Sequence, residues 1–145
     1  MVCTFFGHKD ARELNAETPE KAIEDLIKSG VDTFYVGNQG GFDNMVFSCL
    51  LKLKTSYPHI RFWVVLAYMP GHTLKNDLYC DFSIFPEELE AVHPKFAIDK
   101  RNNWLIEQAD HCICYVNNTW GGAYKFACLA KKRGLSVINL GGAEL

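Results

Sequence analysis

The stretch YVNNTWGGAYKFACLA, residues 115–130, decides the fold. An apolar run, residues 111–116, leads into it and stops at the polar residues Asn117-Asn118-Thr119. After Gly121-Gly122, apolar residues recur at the three- and four-residue spacing of one helix face. The pattern predicts a strand, a tight turn and a helix. Such a turn offers unpaired backbone N–H groups to an anion, unless the glycines serve only to pack the helix closely on the sheet.

The same alternation continues along the rest of the chain. Continuous apolar runs predict five strands, which lie at residues 2–6, 32–36, 60–66, 111–116 and 136–140. Helical spacing of apolar residues predicts helices at residues 18–29, 42–57, 96–109 and 123–133. Residues 67–94 lack a regular pattern, although 82–85 could form a small strand or a loop core. We therefore expect one α/β domain over residues 1–145, a three-layer Rossmann-like parallel sheet of about five strands with helices on both faces.

Glycine-containing loops follow three of the predicted strands. Parallel sheets bind ligands beyond the carboxyl ends of their strands, so these loops predict one binding site at that edge. The expected ligand-binding residues are Gly7, His8, Gly37, Asn38, Gln39, Gly40, Gly41, Arg101, Asn117, Thr119, Trp120, Gly121 and Gly122.

Several of these side chains have a purely structural alternative. Arg101 could hold a phosphate or be a solvated charge at a helix start. His8 could bond a ligand or give it a proton, or simply bond the backbone. Asn117 and Thr119 could cap the next helix instead of touching a ligand. Trp120 could stack on a base or cover the edge of the core.

Charged residues near the predicted edge carry the same ambiguity. Asp43 is a candidate ribose ligand or acid/base group, although an acid in the first turn of a helix also complements its dipole. Lys9 and Lys125 would add positive charge near a phosphate, but lysines are usually solvated.

Composition narrows the classes of function. The net charge of −2 argues against nucleic-acid binding, and the chain has no apolar run long enough to span a membrane. The N-terminus, MVCTFFGHKD, does not resemble a signal peptide, so we expect a cytoplasmic protein. The six cysteines show no C-x-x-C spacing, which favours buried thiols over metal ligands or disulfides. Neither a metal nor a cofactor is expected.

Five motifs distributed over nearly the whole chain carry a family resemblance. They are TFFGH at 4–8, FYVGNQGGFD at 34–43, VLAYMPG at 65–71, FAIDKRNNWLI at 96–106 and ADHCICYVNNTWGGA at 109–123. Together they resemble the SLOG superfamily of Rossmann-like domains, which includes the lonely-guy (LOG) phosphoribohydrolases and the DNA-processing protein DprA. The nearest likeness is to its small YpsA-like bacterial proteins.

The resemblance implies a carboxyl-edge site for a nucleotide or nucleotide-derived ligand. It also places Arg101 where the phosphoribohydrolases carry an arginine, and Gly121-Gly122 in their PGGxGTxxE motif. Trp120 stands at the proline of that motif, Tyr124-Lys125 replace its second Gly-Thr, and Cys128 replaces its glutamate. The carboxylate that acts at the ribosyl bond is therefore missing from its usual place.

These features give three hypotheses for function. The first is binding or sensing of a nucleotide-like small molecule, and the second is hydrolysis of an N-glycosidic or phosphoester bond in such a molecule. Hydrolysis would require another carboxylate, for which Asp43, Glu87 and Glu88 are candidates. The third is DprA-like binding of single-stranded DNA, which the acidic balance disfavours. Aromatics in residues 67–94 also suggest, by analogy with family members, a homodimer contact.

Overall fold

The computed structural model describes residues 1–69 and 82–145 and contains one six-stranded parallel sheet. Its strands are β1 (Val2–Gly7), β2 (Thr33–Val36), β3 (Arg61–Val65), β4 (Ser83–Ile84), β5 (His111–Tyr115) and β6 (Ser136–Asn139). Their order across the sheet is β4-β3-β2-β1-β5-β6. The expected α/β class is confirmed, with one strand more than the sequence predicted. The additional strand, β4, pairs with β3 within the stretch that had no clear pattern.

In residues 1–69 and 82–145, four α-helices cover the two faces of the sheet. They are α1 (Glu17–Lys28), α2 (Gly41–Ser56), α3 (Ala97–Gln108) and α4 (Gly121–Lys132). Short 3-10 turns lie at Glu87–Leu89 and Pro94–Phe96. None of the helices in the described part of the chain is long and apolar enough to cross a membrane.

Alternation of side chains along β1 and β5 divides the core into two halves. On one face, Phe5 and Ile113 pack with α1 and α2, whose apolar positions are the most regular in the sequence. On the other face, Phe6 packs with α3 and α4, and its ring stacks on Phe126 at 5.7 Å between centroids. Because neighbouring strand residues point to opposite faces, β1 and β5 contribute side chains to both halves of the core, which form two separate clusters.

Four of the five cysteines in the described residues are buried, as the sequence predicted. Cys3, Cys49, Cys112 and Cys114 are buried free thiols, and Cys128 is partly buried. Cys112 and Cys114 lie on the same face of β5, next to α3 and α4. Cys80 lies outside the described residues, as do the remaining residues between 69 and 82 that bear on a dimer contact.

The strand order reverses direction between β1 and β5. From β1 the chain proceeds outward to β4, and it then returns to lie beside β1 on the opposite side as β5. The loops after these two strands consequently diverge at their carboxyl ends. An open parallel sheet leaves a crevice at such a reversal.

Candidate functional site

A cleft of about 280 Å³ lies at the carboxyl edge of the sheet beside this reversal. The ends of β1 and β2, the first turn of α2, the inner face of α3 and the start of α4 all contribute to it. Its lining residues are Phe5, Phe6, Gly7, His8, Lys9, Gly37, Gln39, Asp43, Ile98, Arg101, Asn102, Leu105, Gly122 and Ala123. Three loops that are far apart in sequence therefore meet at one site.

Arg101 is the most deeply placed charged residue of the cleft. It lies on α3, and only 2% of its surface is exposed. Its Nη1 donates to the backbone oxygen of Val65 at 3.0 Å, and its Nε donates to Asn102 Oδ1 at 2.8 Å. Burial lowers the pKa of Arg101, whereas the nearby Asp43 carboxylate acts in the opposite direction. The solvated-charge alternative for Arg101 is therefore wrong, because its helix packs the guanidinium against the ends of the strands.

Asp43 approaches the same place from the opposite layer of the molecule. It lies in the first turn of α2, and its Oδ2 accepts a hydrogen bond from the backbone N–H of Gln39 at 2.9 Å. Removal from water raises the pKa of Asp43, and the Gln39 hydrogen bond and the charge of Arg101 oppose that rise. The carboxyl group thus caps the loop after β2 and also faces the cleft.

Gly37 separates these two charged groups. A Cβ atom at this position would lie 2.9 Å from Arg101 Nη1 and 2.9 Å from Asp43 Oδ2. Both distances are shorter than side chains tolerate, so the absence of a side chain lets the guanidinium and the carboxylate face each other across the backbone. This glycine has a packing role here, independent of any contact with a ligand.

The first turns of α2 and α4 both point towards the carboxyl edge but differ in their hydrogen bonds. In α2, Gly41 N–H donates to Lys9 oxygen at 2.7 Å and Phe42 N–H donates to His8 oxygen at 3.3 Å. In α4, the N–H groups of Gly122 and Ala123 meet no acceptor among the described residues. Two backbone donors at the start of α4 that line the cleft therefore stay available to an anion, whereas the N–H groups of Gly41 and Phe42 in α2 are used.

His8 lies at the end of β1 and lines the cleft. Its Nε2 accepts a 2.8 Å hydrogen bond from the backbone N–H of Asn117, which follows β5. The bond joins the two strands on either side of the reversal. Bonding to the backbone, the structural alternative for His8, is thus observed, and His8 is also part of the cleft.

The predicted site residues separate into two groups. Those that line the cleft are Gly7, His8, Gly37, Gln39, Asp43, Arg101 and Gly122. Those that lie outside its lining are Asn38, Gly40, Gly41, Asn117, Thr119, Trp120 and Gly121.

The residues outside the cleft lining either pack against other parts of the protein or are exposed to solvent. Gly40 and Gly41 pack against Lys9, with Gly40 at a positive φ of 133° that favours glycine. Trp120 is 71% exposed, so it does not cover the core edge. Neither Asn117 nor Thr119 caps α4, because that helix has no side-chain cap.

Of the other predicted charges, only Lys9 lines the cleft. Lys125 pairs with Asp99 at 3.3 Å on the outer surface, while Lys9 contributes to the cleft. Glu87 and Glu88 belong to a 3-10 turn and do not line the cleft. Among the described residues, no group of three histidine, cysteine or acidic side chains could hold a metal ion.

Six lining residues were not anticipated from the sequence. They are Phe5, Phe6, Ile98, Asn102, Leu105 and Ala123. Most are apolar positions that any core would use, and only the way in which α3 packs on the sheet turns them towards a cavity. Asn102 follows Arg101 directly and accepts a hydrogen bond from its Nε. A polar residue next to the predicted ligand-binding arginine was the sequence feature that could have indicated Asn102.

Comparison with known proteins assigns neither a family nor a function to this site. No family model matches the chain, and no curated protein matches it.

Proposed function

We propose that this protein binds a nucleotide or nucleotide-derived ligand in the cleft at the carboxyl edge of the sheet. The observation that carries the proposal is the open start of α4. The N–H groups of Gly122 and Ala123 have no acceptor in the described chain, and both residues line the same cleft as Arg101. A helix N-terminus with free donors is suited to a phosphate or another anionic group.

Charge in the cleft supports an anionic ligand. Arg101 and Lys9 bring two cations to the lining, against the single carboxyl of Asp43. Removal from water raises the pKa of that carboxyl and so opposes its negative charge, whereas the nearby charge of Arg101 favours it. A negatively charged ligand group therefore finds a surrounding of net positive potential within a protein whose overall charge is −2.

Polar groups at the other side of the cleft suit the hydroxyl and base portions of a nucleotide. Gln39 lines the cleft with an amide that donates to Asn38 Oδ1 at 3.3 Å, and it retains further donor and acceptor capacity. Asp43 can accept from a ribose hydroxyl. Phe5, Phe6 and Leu105 supply apolar surface between these polar ends. A mostly apolar cleft with a few convergent polar groups is the usual form of a small-molecule site.

The size of the cleft favours a small ligand. Sites for small molecules usually have volumes of roughly 300–1,000 Å³, and the value of about 280 Å³ lies just below that range. A mononucleotide or a similar compact phosphorylated molecule suits this volume better than a dinucleotide does.

A thermal-shift screen tests the proposal directly. The panel contains nucleoside mono- and diphosphates, ADP-ribose, cyclic nucleotides and inorganic phosphate. A ligand present at 100 times its dissociation constant stabilises the folded state by about 2.7 kcal/mol, which gives a clear rise in Tm. A rise with one ligand class supports the proposal, and the absence of a shift with every member contradicts it.

Hydrolysis of an N-glycosidic or phosphoester bond is the second candidate function. The observation that favours it is Asp43, a carboxyl group in the cleft whose pKa is raised by removal from water. A raised pKa suits a general acid. Of the three carboxylates that the sequence offered, only Asp43 lines the cleft, since Glu87 and Glu88 do not.

Turnover separates the two candidates. Each ligand that shifts Tm is incubated with the protein, and released base or phosphate is measured. If hydrolysis occurs, Asp43→Asn should reduce the rate by about 100-fold or more, as expected for loss of an acid/base group. Binding without product, in wild type and variant alike, leaves the protein as a binding module. Single-stranded DNA binding remains a third alternative, with no basic surface run in the sequence to favour it.

A further inference from the structure

The geometry points to His8 as a hydrogen-bond donor with a fixed tautomer, which presents Nδ1–H to an acceptor oxygen of the ligand. The part of this inference that concerns the ligand rests on the proposed function, whereas the tautomer stands on the protein alone. His8 would then contact the ligand through Nδ1 and the backbone through Nε2 at the same time.

Backbone and ring contacts hold His8 from several sides. Its N–H donates to Tyr115 oxygen at 3.3 Å, and its own carbonyl accepts from Phe42 N–H at 3.3 Å. Its ring stands edge-on to the Tyr115 ring at 5.6 Å between centroids. Together with the Nε2 bond to Asn117, these contacts fix both the position and the rotation of the imidazole.

The partner of His8 is itself held by the chain that follows β6. The side chain of Asn117 accepts from Gly142 N–H at 3.0 Å. Ala143 N–H donates to Val116 oxygen at 3.1 Å, one residue before Asn117. The backbone N–H that faces His8 therefore belongs to a loop that is bonded on both sides.

Asn139 completes this support with four hydrogen bonds from one side chain. Its Oδ1 accepts from Val116 N–H at 3.0 Å and from Gly141 N–H at 2.9 Å. Its Nδ2 donates to Val116 oxygen at 3.1 Å and to Ala143 oxygen at 2.8 Å. Every donor and acceptor of the amide is used, so the end of β5 and the residues after β6 are locked together.

The tautomer follows from the direction of the Asn117 bond. A backbone N–H can only donate, so the His8 Nε2 that receives it must carry a lone pair. In neutral imidazole the proton then resides on Nδ1. Among the described residues no acceptor meets this Nδ1, although His8 lines the cleft.

The surroundings determine what the donor can bind. The charged groups that share the cleft with His8 are Lys9, Arg101 and Asp43, and its ring packs on Tyr115. The Asp43 carboxyl accepts from Gln39 N–H through Oδ2, and no hydrogen bond joins it to His8 among the described residues. An oxygen of the ligand, of the phosphate or carbonyl class, is the acceptor that the fixed Nδ1–H would meet.

The tautomer is tested by ¹⁵N NMR of the full-length, uniformly labelled protein at alkaline pH, where imidazoles are neutral. The chain contains five histidines, and the signal that disappears in His8→Gln belongs to His8. We expect its protonated ring nitrogen to be Nδ1. A proton on Nε2 overturns the inference, whether or not any ligand binds.

Two amide variants then separate the donor from the backbone contact. Glutamine places its carbonyl oxygen near the position of Nε2, so His8→Gln keeps an acceptor for Asn117 N–H but lacks the Nδ1 donor. Asparagine places its amide near Nδ1, so His8→Asn keeps a donor and loses the acceptor. With AMP as the probe, we expect His8→Gln to retain the Tm of the wild type and to bind about five- to tenfold more weakly.

The reverse is expected for His8→Asn, with a lowered Tm and AMP affinity nearer that of the wild type. Equal AMP affinity in wild type and His8→Gln overturns the donor role. If the wild type binds neither AMP nor inorganic phosphate, the proposed function fails for these probes, and the NMR result still decides the tautomer. The failure of one proposal is therefore distinguishable from the failure of the other.

Discussion

The guanidinium of Arg101 donates from Nη1 to the backbone oxygen of Val65 at 3.0 Å, which ties α3 to the carboxyl end of β3. This bond makes the arginine part of the fold as well as part of the cleft. Val65 is fully buried, so its carbonyl has no ready access to water as a substitute. If Arg101 binds a ligand, it does so while its Nη1 also donates to the Val65 backbone oxygen.

Replacing the guanidinium should therefore lower stability even without a ligand. Arg101→Met keeps much of the side-chain length but leaves the Val65 carbonyl without its donor, and we expect a loss of about 1–3 kcal/mol in the free energy of unfolding. Urea denaturation measures it. The matched control is Lys125→Met, which removes a cation from an exposed pair with Asp99 and should cost less than about 1 kcal/mol. Equal losses in the two variants would contradict the structural role of Arg101.

Asp43 should make stability depend on pH. Because removal from water raises the native pKa of Asp43 above its ordinary value of 3.8, the unfolded chain releases this proton at a lower pH than the native protein does. Between the two pKa values the native state binds more protons, so its stability falls as pH rises. The cost is absent below the ordinary pKa and complete above the native pKa.

The variant Asp43→Asn removes this cost while it keeps an oxygen to accept from Gln39 N–H. We expect the stability of the variant, relative to the wild type, to improve between pH 4 and pH 7. Urea denaturation of both proteins at the two pH values measures the change, and the contributions of all other carboxyl groups cancel in the difference. If the wild type instead gains on the variant as pH rises, the attraction of Arg101 outweighs desolvation and the assigned direction is wrong.

Two glycines of the cleft should respond in opposite ways to the same substitution. In Gly37→Ala the new methyl group would clash with Arg101 and Asp43, and overpacking of this kind costs about 1–3 kcal/mol. In Gly122→Ala the methyl group meets nothing within 4 Å, so stability should be unchanged or rise by about 0.4–1 kcal/mol. Thermal and urea unfolding compare the two. A similar loss in both would mean that the space around Gly37 is not the determining feature.

Asn139 should be sensitive to a change of one atom. Asn139→Asp keeps the size of the side chain but replaces its donor with an oxygen that faces the carbonyls of Val116 and Ala143. Because both carbonyl oxygens lose their donor and face a carboxylate oxygen instead, we expect a loss of about 2–4 kcal/mol. Asn103→Asp, at an exposed position with one hydrogen bond to Asp99, serves as the control. A loss no greater than that of the control would contradict the support assigned to Asn139.

The fold could be predicted from the sequence because local patterns and global architecture agree. The predicted runs that became β1, β2, β3 and β5 are largely apolar, as buried parallel strands require, and the face of α2 is regular. β6 lies at the edge of the sheet, and its side chains are partly or fully exposed. β4 lies within residues 82–85, which the sequence offered either as a small strand or as a loop core, because a strand of only two residues leaves no periodicity to detect. The opening of α1 was placed one residue late, since the helix begins at Glu17, whose N–H donates to the Asn15 side chain.

The site could be predicted only in part. Gly37 follows a strand end and Gly122 lies at the start of a helix, so their place at the carboxyl edge could be worked out from chain order alone. The expected place of Arg101 rested on its position near a predicted helix start and on the family resemblance. Trp120 and Asn117 also follow a strand end, but neither lines the cleft. Trp120 is exposed to solvent, and the side chain of Asn117 accepts a hydrogen bond from Gly142 N–H. The network of Asn139 was missed because the residues after β6 appeared to be a short tail. A polar amide that ends a strand just before Gly141-Gly142 was the only indication in the sequence.

The central claim is that an anion binds at the start of α4 in this cleft. The most direct measurement is a ¹H–¹⁵N NMR titration of the full-length protein with AMP, with Gly122→Ala as the matched control. We predict saturable shifts of the Gly122 and Ala123 amides, accompanied by Gly37 and His8, with weaker binding in the control because its methyl group enters the site. Unchanged amides at α4, or shifts confined to the opposite end of the sheet, would contradict the account.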